Sequence, residues 1–264
     1  ATADGFLERL RSRFDCTEPV KLEECTRESP LRFLTHEVYE DEQGRLHIAQ
    51  ELYVALMLEK WNCLKELKEL NQEHFKDVWL RDGSPLDPKA HTEFRGKIGS
   101  LLYLGNGTRP DLLAPICIAA QGSAKPTNRH MEAADELLRY TKYTRKRHLT
   151  WARSSKLGFD IIPLLNQFDA SYGMGNQPRS GYCLYVDENL CAWRTKKQTA
   201  GVLSTCEAEL VASTVAGRDT VGLRNLFSEV LPIFAPQSRI QVKVTLQGDN
   251  DAANAIASGD AALR

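Results

Sequence analysis

Between residues 164 and 257 the apolar pattern changes period several times, and that succession constrains the fold more than any other feature of the chain. Residues 164–169 form a strand-like apolar run, and "SGYCLYV" and "LCAWR" read as a hairpin across Asp187-Glu188-Asn189. Residues 204–230 carry a helical pattern, with Gly217 and Gly222 as points where it would bend. In "VKVTLQ", Val242, Val244 and Leu246 alternate with Lys243, Thr245 and Gln247, the mark of a half-buried strand. Residues 251–257 open a further helix. Strand, hairpin, helix, strand and helix in this order predict an α/β domain: a mixed sheet with flanking helices.

Three acids stand at the seams of that pattern. Asp169 closes "LLNQFD", Glu209 lies in "STCEAELVAS", and Asp249 follows the strand in "VTLQGDNDAANAI". Carboxylates delivered by separate elements suit hard divalent cations, which take oxygen ligands and keep positions open for water and phosphate. Mg2+ is the expected ion, in a pair, and Mn2+ satisfies the same oxygens. Simpler roles stand beside this one. Asp169 can be a turn residue, and Asp249 can cap the helix that begins at Asp251. Glu207 is separable from Glu209, because Ser204-x-x-Glu207 fits a capping box in which Glu207 reaches back to the Ser204 backbone N–H. Glu209 has no such local task.

Upstream of this region the reading is coarser. Residues 31–50 predict two short strands around a turn at 41–44, followed by a helix over 52–61 with Leu52, Ala55, Leu56 and Glu59 at helical spacing. Residues 64–92 read as loop, with "DGSPLDP" as a turn cluster. A helix with Phe94, Ile98, Leu101, Leu102 and Gly105 on one face follows. "TRPDL" breaks it and starts another, in which Pro115 is tolerable only near the first turn. Thr127 is expected to cap a helix carrying Met131, Ala134, Leu137 and Leu138.

Between Glu136 and Asp160 lie Arg139, Lys142, Arg145, Lys146, Arg147, Arg153 and Lys156, with no acid and with Tyr140, Tyr143 and Trp151 interleaved. Cations mixed with rings suit a nucleic-acid backbone, although cations at a helix C-terminus also serve the macrodipole. Arg179, Arg194, Lys196 and Lys197 are further candidates for gripping substrate, with plain surface solubility as the alternative. The domain boundary is placed near 155–160, giving segments 1–157 and 158–264.

The chain has 264 residues and a formal net charge of −1, which excludes a globally basic binder but not local patches. No apolar run approaches the length of a membrane span. Seven scattered cysteines without CxxC spacing fit reduced thiols in the cytoplasm or nucleus. The histidines lie in unrelated contexts, which argues against a histidine zinc site. Neither a Ser/His/Asp arrangement nor a glycine-rich phosphate loop is visible.

Taken together, "FDASYG", "RSGYCLYVDENLCAWRTKKQT", "LSTCEAELVAS" and "LQGDNDAANAIA" resemble the ribonuclease H domain of copia-type retrotransposon polyproteins. That family shows Asp at the end of strand one, Ser-Gly-Tyr opening strand two, Trp–Lys-Lys-Gln after strand three, Ser-Thr-x-Glu-Ala-Glu on the helix, and Asp-Asn after strand four. "FLTHEVYEDEQGRLHIAQELYVALML", "FRGKIGSLLYLGNGTRPDLLAPICIAA" and "PTNRHMEAADELLRYTKYTRKRHLTW" resemble the family's reverse-transcriptase end and connection, a mostly helical segment. The resemblance covers about residues 33–62 and 94–257. It implies a ribonuclease H-like fold that cuts the RNA strand of RNA/DNA hybrids with two Mg2+ ions, Asp169, Glu209 and Asp249 being ligands and catalytic carboxylates. The implied partners are the hybrid and the remainder of the Pol polyprotein. This sequence departs from the family in three ways. It has no Asp-Asp pair for a polymerase centre, the fourth acid of the family falls beyond Arg264, and Ser171 stands where a second Asp is common. Two other readings stay open: a nucleic-acid-binding module without catalysis, and an inactive remnant of a decayed element.

Overall fold

The computed structural model describes residues 3–16, 18–71, 75, 83–152, 161–171, 178–199, 201–234 and 240–258. In chain order its elements are helix α1 (Ala3–Arg11), strands β1 (Leu31–Phe33), β2 (His36–Glu40) and β3 (Leu46–Ala49), and helices α2 (Glu51–Lys60), α3 (Pro88–Gly107), α4 (Pro110–Ala120) and α5 (Asn128–Tyr143). Then come strands β4 (Leu149–Trp151), β5 (Ile161–Ser171), β6 (Arg179–Val186) and β7 (Asn189–Lys197), helix α6 (Thr205–Phe234), strand β8 (Gln241–Gln247) and helix α7 (Asp251–Ser258). Among the described residues the fold is thus mixed α/β with two sheets, ordered β1-β2-β3-β4 and β7-β6-β5-β8. The first sheet is antiparallel throughout; in the second only the β5–β8 pairing is parallel. Among the described residues no helix is long and apolar enough to cross a membrane.

The β2–β3 turn forms because Asp41 Oδ1 accepts from the backbone N–H of Gln43 (3.0 Å) and of Arg45 (2.9 Å), while Gly44 takes φ +71°. Asp41 also binds the ring of His47 (2.8 Å), whose other nitrogen lies 2.8 Å from His148 on the approach to β4. Two histidines that sequence placed in unrelated contexts therefore meet, and burial holds His148 below its ordinary pKa.

Helices α3, α4 and α5 enclose the larger core, in which Phe94, Leu101, Leu104, Leu112, Ile116 and Leu137 are fully buried. Asp87 starts α3 by accepting from Lys89 N and Ala90 N (2.9 Å each) with Pro88 at the first position, so the predicted loop ends at 87 rather than 92. Arg109, fully buried, closes the α3–α4 corner. Its Nε and Nη2 donate to Asp111 (2.8 Å each) and its Nη1 and Nη2 to the Thr144 carbonyl and hydroxyl (3.2 and 2.8 Å). Pro115 sits in the second turn of α4 rather than the first, removing the N–H that would reach the Asp111 carbonyl. The burial of Leu112, Leu113, Ile116 and Ala119 outweighs that one bond. At α5 the box residue is unusual: Thr127 N donates to His130 Nδ1 (3.1 Å), a ring doing the work of the usual Glu.

In α2 the buried residues are Val54, Met57 and Leu58, while Leu52 and Leu56 are exposed. The expected stripe faces outward: residues 52–58 are apolar on every side, so their spacing does not choose a face, and the polar mark on the stripe, Glu59, is exposed.

The β6–β7 hairpin turns on Asp187 and Glu188, with φ of +48° and +69°, the two-residue geometry that matches strand twist. Asn189 already belongs to β7. On β5, Leu164, Asn166 and Phe168 face α6, and Asn166 donates to the Ala216 carbonyl (3.1 Å) and Thr220 Oγ1 (2.8 Å). The two sheets are tied by Trp151 Nε1 of β4 to the Leu190 carbonyl of β7, and Trp193 Nε1 of β7 holds the second sheet to the Gly105 carbonyl of α3, 2.8 Å each. The boundary placed near 155–160 lies outside the described residues.

Candidate metal centre

Glu209 occupies the second turn of α6, and the start of that helix is built by its neighbours. Glu207 N donates to Ser204 Oγ (3.1 Å), and the Glu207 carboxylate accepts from Leu203 N (2.6 Å) rather than from Ser204 N. Glu207 is therefore the structural acid, shifted by one residue from the expected bond. Glu209 is buried; its Oε1 accepts from Ala170 N on β5 (3.0 Å), and its Oε2 is buried without a hydrogen-bond partner.

Asp169 lies within β5, two residues before the strand's end, opposite Gly181 of β6. Asp249 follows β8. The cap of α7 is not Asp249 but Asn250, whose Oδ1 accepts from Ala253 N (2.9 Å), so the simpler role for Asp249 is taken by its neighbour. Gly248 lets this corner form: a Cβ there would come within 2.6 Å of the Phe168 ring. Gly248→Ala is accordingly expected to cost about 1–3 kcal/mol by overpacking, read by chemical denaturation. An unchanged midpoint would show that the Phe168 ring yields freely.

One carboxylate oxygen from each of Asp169, Glu209 and Asp249 lies within 4.8 Å of the other two. Two oxygens across a Mg2+ ion, each about 2.1 Å from it, stand roughly 4.2 Å apart, so the spread matches the size of a bound cation. Burial raises the pKa of Glu209, and the charges of Asp169 and Asp249 raise it further against the opposing Ala170 N–H. An orphaned buried oxygen facing two like charges is the environment a cation relieves. The donor set, all oxygen, fits a hard ion.

No family model and no solved structure matches the chain. Among curated proteins it is 25% identical over 201 residues to the retrovirus-related Pol polyprotein from transposon TNT 1-94 of Nicotiana tabacum, covering 73% of this chain and 15% of that protein. It is 30% identical over 182 residues to the retrovirus-related Pol polyprotein from transposon RE2 of Arabidopsis thaliana, covering 67% of this chain and 12% of that one. The chain is of retrotransposon Pol origin. It spans about an eighth of the length of these Pol relatives. It is also 30% identical over 129 residues to secreted RxLR effector protein 161 of Plasmopara viticola, covering 48% of this chain and 87% of that protein.

The basic candidates of this Pol-derived chain fall into two groups. Arg139 donates to the Asp135 carbonyl (3.2 Å), and Lys142 to the carbonyls of Cys63 (3.1 Å) and Leu64 (2.7 Å). Arg147 donates to the Tyr140 hydroxyl (2.9 Å) and stacks over that ring. These three are engaged within the fold. Arg145 and Lys146 are exposed, make no ion pair among the described residues, and border a cavity of about 560 Å3 with Asn62 and Leu64. Arg153 and Lys156 lie outside the described residues.

Arg194, Lys196 and Lys197 sit on β7 itself rather than beyond it. Arg194 pairs with Asp219 of α6 (3.1 Å), which also accepts from the Tyr182 hydroxyl (2.8 Å). Burial and the Asp219 carboxylate push the Tyr182 phenol up to about 12. Lys196 and Lys197 are exposed. Sequence reasoning missed Gln198, which is buried and donates to Ser180 Oγ (2.9 Å) and the Ala208 carbonyl (2.8 Å). It fastens the ends of the hairpin to the first turn of α6, next to Glu209. Its place in the Trp–Lys-Lys-Gln motif was the available signal.

Proposed function

We propose that this chain is the part of a copia-type Pol polyprotein that joins a reverse-transcriptase connection segment, residues 1–157, to a ribonuclease H-like domain, residues 158–264. In this reading it hydrolyses the RNA strand of RNA/DNA hybrids during reverse transcription, in the cytoplasm or nucleus and in concert with the remainder of Pol. The observation that carries it is the convergence of Asp169, Glu209 and Asp249 from a strand, a helix and a strand-end onto one point. Along the chain, strand, hairpin, helix and strand follow in the order the family motifs require.

Asp169, Glu209 and Asp249 would hold Mg2+, or Mn2+ in its place. When bound, a cation pair supplies an activated water and neutralises charge on the attacking and leaving oxygens. The chain's own contribution is placement. Ala170 N–H orients the Glu209 carboxylate, Gln198 pins the helix start that carries it, and Asn250 frees Asp249 from capping. Exposed Lys196 and Lys197 offer cations to the phosphate backbone, and an A-form hybrid would be recognised by shape and 2′-hydroxyl. Hydrolysis alone is proposed, since the chain has no Asp-Asp pair for a polymerase centre.

The test is cleavage of end-labelled hybrid in Mg2+ by this chain and by Asp249→Asn. Cleavage by the parent and loss in the variant support the site; equal cleavage by both removes Asp249 from it. A binding-only reading is favoured by one observation, the exposed and unpaired Arg145 and Lys146. Salt-dependent hybrid binding without any hydrolysis would select it.

A further inference from the structure

Three strands, β5, β6 and β7, turn one face toward α4, and between them lies a cavity of about 430 Å3. Strand register places Asp169 and Ser171, Arg179 and Gly181, and Thr195 and Lys197 on that face. All but Lys197 line the cavity, whose far wall is apolar: Pro110, Leu113, Ala114 and Ile118 of α4.

Arg179 is the anomaly there. Its Nε and Nη1 are buried and have no hydrogen-bond partner, and its guanidinium rests against the Cys117 thiol. No acid pairs with it among the described residues. The thiol does not serve as one, because burial raises its pKa and keeps it neutral near pH 7. In addition, Arg179 stands directly opposite Lys197 in the β6–β7 register. Like charges directly across a ladder are unfavourable, and guanidinium nitrogens buried without a partner add a desolvation cost. Both costs are ones that a bound anion would relieve.

We infer that Arg179 and Lys197 form a phosphate-binding clamp at the end of this face, taking a phosphodiester of the bound strand beside the carboxylate cluster. Arg179 lies diagonally across from Asp169, whose direct partner is Gly181, at a separation of about 7–8 Å. A strand crossing the face would thus meet the carboxylates at one phosphate and the clamp at another. The planar guanidinium supplies a paired donor geometry and Lys197 a mobile point charge. The assignment to a nucleic-acid strand rests on the nuclease reading above; the clamp's chemistry for a phosphate group does not.

Hybrid binding in EDTA over a range of salt, with an inorganic phosphate titration alongside, tests the clamp. Arg179→Gln and Lys197→Gln are each expected to weaken hybrid binding about tenfold and to lower the salt slope by about one. Arg179→Lys should restore the slope but not the full affinity. Lys197 is exposed, so its variant remains informative if Arg179→Gln folds poorly. If the parent binds hybrid and both glutamine variants match its affinity and slope, the clamp is overturned while the nuclease reading stands. If the parent binds no hybrid in EDTA, phosphate decides for the clamp, and the nuclease reading stands or falls on cleavage in Mg2+. Thermal protection by millimolar phosphate that is lost in Arg179→Gln upholds the anion site, and equal or absent protection in the two proteins overturns it.

Discussion

Glu209→Gln is expected to reduce Mg2+-dependent hybrid cleavage by on the order of 10²–10³-fold while raising the melting temperature of the metal-free protein. The two effects have one cause. Glu209 is buried with one oxygen unpartnered, and the carboxylates of Asp169 and Asp249 are close by. Without a cation the charge there is a liability, and its neutral isostere removes both the desolvation and the repulsion. The amide oxygen can still accept from Ala170 N, so the helix–strand contact survives. With Mg2+ the balance reverses, because the neutral ligand no longer compensates the ion. Calorimetric Mg2+ titration, metal-free melting and hybrid cleavage on the same two proteins measure it. A variant that melts lower without metal would mean that Glu209 is a structural acid, and one that cleaves normally would mean the ion sits elsewhere.

The second large effect lies in the fold. Arg109→Ala should cost about 3–5 kcal/mol and lower the melting temperature by on the order of 10 °C. The side chain is fully buried and joins the start of α4 to the end of α5 through four bonds, to Asp111 and Thr144. Truncation removes the donor to the Thr144 hydroxyl, leaves the Thr144 carbonyl with the Arg147 N–H (2.9 Å), and opens a cavity where the stem was. Asp111 is partly exposed and can be rehydrated, which places the loss toward the lower end of the range. Arg109→Lys should recover little, because a point ammonium cannot reproduce the fork. A loss below about 1 kcal/mol in denaturant unfolding would show that the corner is held by packing alone.

What was legible in the sequence divides along physical lines. The β6–β7 hairpin and β8 were legible because alternation survives where one face is half-buried. Glu207 and Glu209 could be told apart because a capping box is a local arrangement of four residues. The face of α2 was misplaced because residues 52–58 are apolar on every side and only Glu59, near the helix end, marks the exposed one. Asn250 took the cap that Asp249 also fitted, a choice between adjacent acceptors that spacing leaves open. The meeting of His47 with His148 depends on the β3–β4 pairing, which no local pattern specifies. The opposition of Arg179 and Lys197 likewise exists only once hairpin register is known, and a shift of one residue would abolish it.

The parallel strand β8 has a further consequence. Among the described residues nothing pairs with its outer side, where backbone donors and acceptors form an open row. Such a border is a template for self-association, and in "QVKVTLQ" the single charged residue able to discourage it is Lys243, exposed at mid-strand. Neutralising Lys243 is therefore expected to turn this margin adhesive.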